Sequence, residues 1–542
     1  MKRFFLFLLM AAMVHAANYY VDNSASSSGD GSLGSPFNSI SSAIGKLSAG
    51  DTLFIRGGSA DKPQIYNESL SFSDNGPNGK PGFPIVMTAM PGEYVTIHPK
   101  SKIGVSSSYW VFENLTFDMQ EQANDIFRVY GDNNTFRNLT VTNGSRDGFD
   151  ISNASHTLVE NCKIYNFTRN DEYDAHGIIM DGGEGNTFRG NTIWNCKGDC
   201  IQIYKANINH NTLIENNTLY TTWGPGSENA IDFKGTTRSI IRNNTMYGFA
   251  RTTTSDGVAL KISKDSDSLL IEYNNIHSSN GGIRIAGGKA DHYEIRYNVI
   301  HDMEESDSPY TDGYGMQIDG VTDLKIYNNT FANMPGPLFW IADGAKDVMI
   351  KNNIFYRAGN YKGSSNDFTG KVDIDYNGWY QVSKQINGNN DVIGNDPSFT
   401  DEKNWDYTLK EGSSAIDAGD PSFGSDYPGR VIDLGAFEFD GSITGLRDGD
   451  PAAVRAFRLN QNYPNPFNPV TRIAFFVEKQ QKVTLRVYNI LGRPVATLLD
   501  ETVPAGNRQV TFNGASLSSG VYFYRLQTES GQSLTRQMML VK

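Results

Sequence analysis

The chain has 542 residues, a net charge of −13 and 38% hydrophobic residues. It is long enough for more than one domain with a sizeable core, and its acidic balance argues against binding to nucleic acid or anionic lipid. Its three cysteines are too few for a framework of disulfide bonds. An acidic protein that binds a polyanion needs a bridging cation.

The first segment reads as a secretory signal. Lys2 and Arg3 precede an apolar run, and the small-residue pattern Val14-His15-Ala16 suits cleavage after Ala16. We therefore expect residues 1–16 to be removed. No later apolar run is long enough for a membrane span, so the sequence predicts an exported protein with no membrane span after signal removal.

The middle of the chain repeats with a period of 24 to 31 residues. Each unit combines short β-prone runs with turns rich in Gly, Asn and Asp, and a period of this length predicts a solenoid. The reading that fits is a right-handed parallel β-helix with about three short strands in each coil. An asparagine recurs at one position, and stacked asparagines can hydrogen-bond along the coils as an internal ladder. These residues are Asn191, Asn217, Asn244, Asn274, Asn298, Asn329 and Asn353.

The two ends of the solenoid have signals of their own. Residues 35–47 read as an amphipathic helix that would cap the open end of the β-helix. The far end is expected to close near residues 414–420 and 432–438, which look like the segments that bracket secreted β-helix polysaccharide lyases.

The composition changes after a polar linker at residues 441–456. The run Tyr463-Pro-Asn-Pro-Phe-Asn-Pro469 precedes strands that alternate apolar and polar residues. Residues 457–542 resemble the C-terminal sorting domain of the type IX secretion system, which implies a small immunoglobulin-like β-sandwich. The predicted fold class is therefore all-β, with a right-handed parallel β-helix over residues 17–440 followed by that sandwich.

Charged residues cluster on the outward face of neighbouring predicted strands. In residues 227–235, strand alternation turns Ile231 and Phe233 inward and Asp232 and Lys234 outward. Carboxylates on coils about 4.8 Å apart repel each other unless a cation is bound. Aligning the strands on a small residue stacks Asp232, Ala259 and Arg284 in one column and Lys234, Lys261 and Ala286 in the next.

This pattern resembles the family 9 polysaccharide lyases, which are secreted β-helix pectate lyases. That family presents an Asp on one coil, an acid–Asp–Gly–aromatic–Asp run on the next and a lysine base one coil later, and its carboxylates hold Ca2+. Here Asn229 replaces one acid, and Ala259 stands at the place of the lysine, with Lys261 two residues on. The resemblance implies a Ca2+ site formed by Asp199, Glu228, Asn229 and Asp232.

The predicted chemistry is β-elimination in a pectate-like uronate polymer. Ca2+ would neutralise the substrate carboxylate. Lys261 would be the base, with Lys234 as second candidate, and a stack of the two lysines would lower the pKa of the base. Arg284 would bind a second substrate carboxylate. We expect a monomer, secreted or on the cell surface, whose partners are an acidic polysaccharide and the type IX secretion machinery.

Alternatives remain open at this point. A second alignment puts the acids at Asp125, Asp147 and Asp150 but leaves Ile179 where the base belongs. An alginate or glycosaminoglycan lyase, or a uronate C5-epimerase, would share the fold and the proton abstraction. A non-catalytic carbohydrate-binding protein would use exposed aromatic residues instead. His176 is interpreted as a hydrogen-bonded turn residue because no second histidine lies near it. The candidate aromatic residues are Trp223, Trp340 and Tyr310.

Overall fold

The structure is a computed structural model of the whole chain. The predicted signal, apart from Ala16, the linker at 441–456 and Tyr310 lie outside the residues that it describes. The described residues form two compact units, of which the first ends at Glu438 and the second holds the strands from Arg458 onward. The described residues are 16–73, 75–122, 124–168, 174–224, 226–252, 255–263, 266–305, 312–342, 345–359, 368–383, 388–423, 431–439, 458–459, 462, 467, 469–477, 480–489, 493–503, 506–518, 520–529 and 533–540.

The first unit is a parallel β-solenoid whose coils present three faces. Strands of successive coils pair in parallel along each face, as the repeat predicts. The first face carries the charged cluster. Its strands are Ser71–Phe72, Ile103–Val105, Phe127–Val129, Phe149–Ser152, Ile178–Glu184, Ile201–His210, Ile231–Phe233, Val258–Ser263, Gly281–Arg296, Tyr314–Tyr327 and Phe339–Ala342.

The other two faces complete each coil. Several first-face strands, such as Gly281–Arg296, continue onto the second face. The further strands of the second face are Asn18–Val21, Thr52–Ile55, Ile85–Ala89, Trp110–Glu113, Thr135–Arg137, Leu158–Glu160, Thr187–Arg189, Leu213–Glu215, Ile240–Arg242, Asp267–Glu272, Ala345–Lys351 and Phe368–Asp375. Those of the third are Gln64–Glu68, Val95–Pro99, Thr116–Asp118, Thr140–Gly144, Lys163–Phe167, Thr192–Cys196, Thr218–Tyr220, Thr245–Tyr247, Asn275–His277, Val299–His301, Thr330–Met334, Ile354–Ala358, Gly378–Tyr380 and Val392–Ile393.

The ends of the solenoid are closed as the sequence predicts. A helix at Ile40–Ile44, shorter than the predicted segment, begins after Ser39, whose side chain accepts a hydrogen bond from Ser42 N, and it buries Ile40 and Ala43 in the main core. At the far end the backbone near Asp433 receives a hydrogen bond from Asn328 Nδ2. The remaining elements there are Phe399–Asp401 paired with Asp406–Leu409 and the short 3-10 helices Glu402–Asn404 and Pro421–Phe423.

The asparagine ladder is confirmed. Asn244 donates from Nδ2 to Asn274 Oδ1 at 3.0 Å and to Ile214 O at 2.9 Å. Its own Oδ1 accepts from the backbone N and the Nδ2 of Asn217, at 3.0 and 2.9 Å. The same pattern runs through all seven predicted residues and extends to Asn377. Each asparagine therefore satisfies backbone groups that the tight turn would leave unpaired inside the core.

Breaking the ladder should destabilise the solenoid. Asn244→Ala removes the acceptor of two Asn217 donors and the donor to Ile214 O, and each buried group left unpaired costs about 1–3 kcal/mol. We expect a clear drop in the denaturation midpoint measured by circular dichroism. Lys163→Ala, on an exposed third-face lysine, is the control that should change nothing. An Asn244→Ala protein as stable as this control would contradict the structural role of the ladder.

The second unit consists of antiparallel strands. Val470–Val477 pairs with Gly506–Asn513, and Gln481–Asn489 pairs with Gly520–Thr528. Alternating residues such as Ile473, Leu485 and Tyr524 form its separate core. Within the described residues, no helix is long and apolar enough to cross a membrane. The other strands of this unit are Arg458–Leu459, Pro494–Val503 and Ser533–Leu540.

Candidate active site

The first face carries a column of outward side chains, one from each coil. Asp232 pairs with Gln202 on the preceding coil and with Lys261 on the following coil, and Lys261 pairs with Arg284. We name this set the outer column. In order along the solenoid it contains Arg128, Asp150, Ile179, Gln202, Asp232, Lys261, Arg284, Gln317 and Trp340.

This register corrects the predicted alignment of one coil by two residues. Asp232 stands next to Lys261, whereas the alignment from sequence places Ala259 there. Gly257 is the reason: its φ is +68°, and a Cβ on it would lie 2.4 Å from the backbone of Ala250, so it belongs to a turn. Ala259 is the small residue that pairs with Ala230. The shift is even, so Lys261 still faces outward.

A second column precedes the strands. It holds Asp125, Asp147, His176, Asp199 and Asn229, and the carbonyls of the last four each accept a backbone hydrogen bond from the residue that follows the preceding member. Asp199 is fully buried: its Oδ1 accepts from Asn229 Nδ2 at 2.7 Å, and its Oδ2 accepts from Gln202 Nε2 at 2.8 Å. Burial and then the charge of Asp232 raise the pKa of Asp199. Gln202 thus orients Asp199, a role that the sequence reading missed.

His176 lies between the carboxylates of Asp147 and Asp199 in this column. Its Nδ1 lies 2.9 Å from Asp147 Oδ1, which also accepts from the His176 backbone N at 2.8 Å. Its Nε2 lies 3.8 Å from Asp199 Oδ2. Burial lowers the pKa of His176, but the hydrogen bond and charge of Asp147 and the charge of Asp199 outweigh burial and raise it. His176 is the hydrogen-bonded turn residue that the sequence predicts.

Asp232 combines deep burial with an unused carboxylate oxygen. The residue is 1% exposed, and its Oδ1 is buried without a hydrogen-bond partner among the described residues. Its Oδ2 lies 3.3 Å from Nζ of Lys234. A buried carboxylate oxygen without a partner is costly and marks a place where a ligand can be bound.

Lys234 does not stack against Lys261, contrary to the sequence prediction. The corrected register puts Tyr204 and Ser263 beside it on the neighbouring coils. Burial lowers the pKa of Lys234, but the charges of Asp232, Asp199 and Glu228 and a hydrogen bond to Asp232 raise it above the usual value. The lysine stack that was expected to lower the pKa of the base is therefore absent, and Lys234 is held in the charged form.

Arg284 is fixed by a network of charges beyond Lys261. Its guanidinium forms an ion pair with Asp256, and its Nε is buried without a partner among the described residues. Arg251 joins the same carboxylate at 3.1 Å and donates from Nε to Asp312 Oδ1 at 3.0 Å. The sequence does not single out Asp256, but the structure makes it the residue that orients Arg284.

The alternative acidic group already has its own cations. Arg128 Nη2 lies 2.9 Å from Asp125 Oδ2, and Arg128 Nε lies 2.8 Å from Asp150 Oδ2. Asp147 is bound to His176. The outer-column neighbour of Asp150 is Ile179, which cannot act as a base. Asp125 Oδ1 is also buried without a hydrogen-bond partner among the described residues, with Arg146 Nε at 3.6 Å, so this group differs from the group around Asp232 mainly in lacking a basic neighbour at the next coil.

The group around Asp232 fits a calcium ion by its chemistry. The predicted ligands Asp199, Glu228, Asn229 and Asp232 all offer oxygen atoms, which calcium prefers, and the Asp232 Oδ1 has no other partner. Over the part of the chain that is described, no three His, Cys, Asp or Glu side chains are already arranged to hold a metal. Asn229, whose amide now donates to Asp199, would have to contribute the further ligand.

Three family models match the chain. The model described as "Pel9A-like, right handed beta helix region" matches residues 19–224, and that described as "Right handed beta helix region" matches residues 208–396. The model of a secretion system C-terminal sorting domain matches residues 461–541. These matches confirm the β-helix and the resemblance predicted from sequence. The sorting domain indicates a secreted or cell-surface protein.

Individual relatives are pectate lyases. The chain is 26% identical over 266 residues to "Pectate lyase PEL9" of Emericella nidulans, covering 42% of this chain and 61% of the relative. It is 24% identical over 274 residues to "Pectate lyase L" of Dickeya chrysanthemi, covering 45% and 63%. The chain thus spans less than two thirds of the length of these relatives. A crystal structure of pectate lyase Pel9A superposes with 19% identity and a TM-score of 0.42, covering 78% of this chain and 96% of that chain.

Proposed function

We propose that this protein is a polysaccharide lyase that cleaves a pectate-like uronate polymer by β-elimination. Lys261 is the base, Arg284 binds a substrate carboxylate, and a calcium ion is held by Asp199, Glu228, Asn229 and Asp232. The similarity to pectate lyases supports the reaction class. The residue assignment rests on the geometry of the first face.

One observation carries this proposal: Asp232 and Lys261 are paired neighbours on adjacent coils. Parallel strands lie about 4.8 Å apart, so the two outward side chains can reach one sugar unit. The unpartnered oxygen of Asp232 supplies an acidic ligand, and Lys261 supplies a basic group beside it. This acid-then-lysine order over consecutive coils is the order on which the resemblance to family 9 rests.

The reaction requires a proton to leave C5 of a uronate. When bound, calcium withdraws charge from the substrate carboxylate and makes that proton more acidic. Lys261 Nζ takes the C5 proton, the C4–O bond breaks, and a C4–C5 double bond forms while the leaving oxygen takes a proton from water. Because Lys261 must be neutral to accept the proton, activity should rise as the pH becomes alkaline.

Lys234 is less suited to this step than Lys261. Its ammonium is paired with Asp232, and the surrounding carboxylates raise its pKa, so its neutral form is scarce. Arg284 offers a planar set of donors that matches a carboxylate. Asp256 orients it from one side.

The decisive test is a lyase assay on a panel of uronate polymers. The secreted protein is incubated with polygalacturonate, alginate and a glycosaminoglycan, and the ultraviolet absorbance of the unsaturated product is followed with calcium and with a chelator. We expect absorbance to rise with polygalacturonate and calcium and to stop with chelator. A rise in absorbance with only alginate or only the glycosaminoglycan would support the lyase reaction but would change the proposed substrate.

The same assay separates the other functions. An epimerase would change the uronate composition of the polymer without a rise in absorbance. A binding protein would retain the polymer in a pull-down and leave both absorbance and composition unchanged. Either result, with folded protein, would reject the proposed lyase.

A further inference from the structure

The carboxylate group around Asp232 contains a positive charge of its own. Lys234 lies two residues after Asp232, and strand alternation turns both side chains outward. Its Nζ lies 3.3 Å from Asp232 Oδ2, with the lysine side chain 26% exposed and the aspartate side chain 2% exposed. The ammonium of Lys234 therefore lies between the buried carboxylate of Asp232 and the solvent, and it is partly shielded from water.

The proposed calcium ligands surround this ammonium. Asp232 lies on the same segment as Lys234, and the fully buried Asp199 lies on the preceding coil, bound to Asn229 and to Gln202, the outer-column neighbour of Asp232. Next to the paired residues on the adjacent coils, the neighbours of Lys234 are Tyr204 and Ser263. Lys234 is thus positioned to neutralise carboxylates that would otherwise repel each other.

Lys234 and Lys261 approach Asp232 differently. Lys261 lies next to Asp232 on the following coil, whereas Lys234 contacts Asp232 from two residues further along the same segment. The two lysines can therefore have separate tasks. A cation bound by Asp232 must share that carboxylate with the ammonium of Lys234, and like charges this close repel each other.

We infer that Lys234 is a built-in counter-cation of the calcium site, which stabilises the carboxylates when no metal is bound and lowers their affinity for calcium. This inference rests on the proposed function, because it concerns the same metal ligands. Lys234 acts here as a positioning residue rather than as a base. Its consequence is a site that fills only where calcium is plentiful, as it is outside a cell.

The test removes the charge and keeps the length of the side chain. Lys234→Met is compared with wild type and with Lys163→Met, an exposed lysine on the third face. Calcium binding to the full chain is measured by titration calorimetry, and thermal unfolding is measured in chelator. We expect Lys234→Met to bind calcium roughly ten- to a hundredfold more tightly, the scale of a nearby unit charge. We also expect it to unfold at a lower temperature in chelator, while the control matches wild type.

Two further measurements keep the test decisive. Lys234→Arg retains the charge and should keep the wild-type calcium affinity. This variant can be measured even if Lys234→Met folds poorly. Calcium affinity of Lys234→Met that is equal to or weaker than that of wild type would overturn the inference, as would a fully stable metal-free variant. The ultraviolet assay on the same preparations tests the lyase separately. If Lys234→Met binds calcium and the wild type does not, the role of Lys234 as a counter-cation is supported even where the wild-type lyase is active without calcium.

Discussion

Replacing Lys261 with alanine is expected to lower kcat on the uronate polymer by about 10²–10⁴-fold, the range that general-base assistance contributes. Calcium affinity should change little, because Lys261 is a neighbour of the metal ligands and not one of them. The measurement is the steady-state rate of absorbance rise, combined with calorimetric titration of calcium. The wild-type rate should also increase with pH, and the variant should lose this dependence.

Two variants sharpen this prediction. Lys261→Arg keeps the positive charge, but a guanidinium does not deprotonate, so it should be as inactive as the alanine variant. Lys325→Ala removes an exposed lysine elsewhere on the solenoid and should retain full activity. Near-full activity of Lys261→Ala would reject Lys261 as the base. If Lys234→Ala were then equally active, the lysine mechanism itself would fail.

Replacing Asp232 with asparagine should strongly weaken calcium binding and lower activity. The change keeps the shape of the side chain but removes its negative charge and replaces one of its two oxygens, next to a position where Oδ1 is buried without a hydrogen-bond partner among the described residues. Loss of an outer partner of a metal ligand already weakens binding about 10–100-fold, so loss of a ligand should weaken it at least as much. Titration calorimetry measures the affinity, and added calcium at high concentration should only partly restore the rate.

The matched control for this prediction is Asp150→Asn. Asp150 occupies the same outer column but is bound to Arg128 at 2.8 Å and has Ile179 as its next neighbour. We expect this variant to bind calcium as wild type does. The opposite pattern, with Asp150→Asn inactive and Asp232→Asn active, would move the metal site to the acidic group of Asp125, Asp147 and Asp150.

The sequence by itself determined the architecture and the direction of each side chain. The asparagine period predicts the stacked coils because an unpaired turn amide inside a core must be satisfied, and each ladder residue does so. Alternation along a strand decides which face a residue occupies, and this kept Asp232 and Lys261 outward even where the alignment was two residues in error. The motif after residue 457 predicted the sorting domain without any structure.

Only the tertiary structure decided which outward residues are neighbours. Turn lengths differ between coils, and a sequence pattern cannot tell whether Gly257 lies in a strand or in the turn before it. Its positive φ, and the backbone of Ala250 where a Cβ would stand, put it in the turn, and Lys261 then lies beside Asp232. The raised pKa of Lys234, for which the charges of Asp232, Asp199 and Glu228 outweigh burial, also could not be predicted from sequence, because it depends on distance and burial in three dimensions. His176 between Asp147 and Asp199 likewise joins residues far apart in sequence, which only the stacking of coils brings into contact.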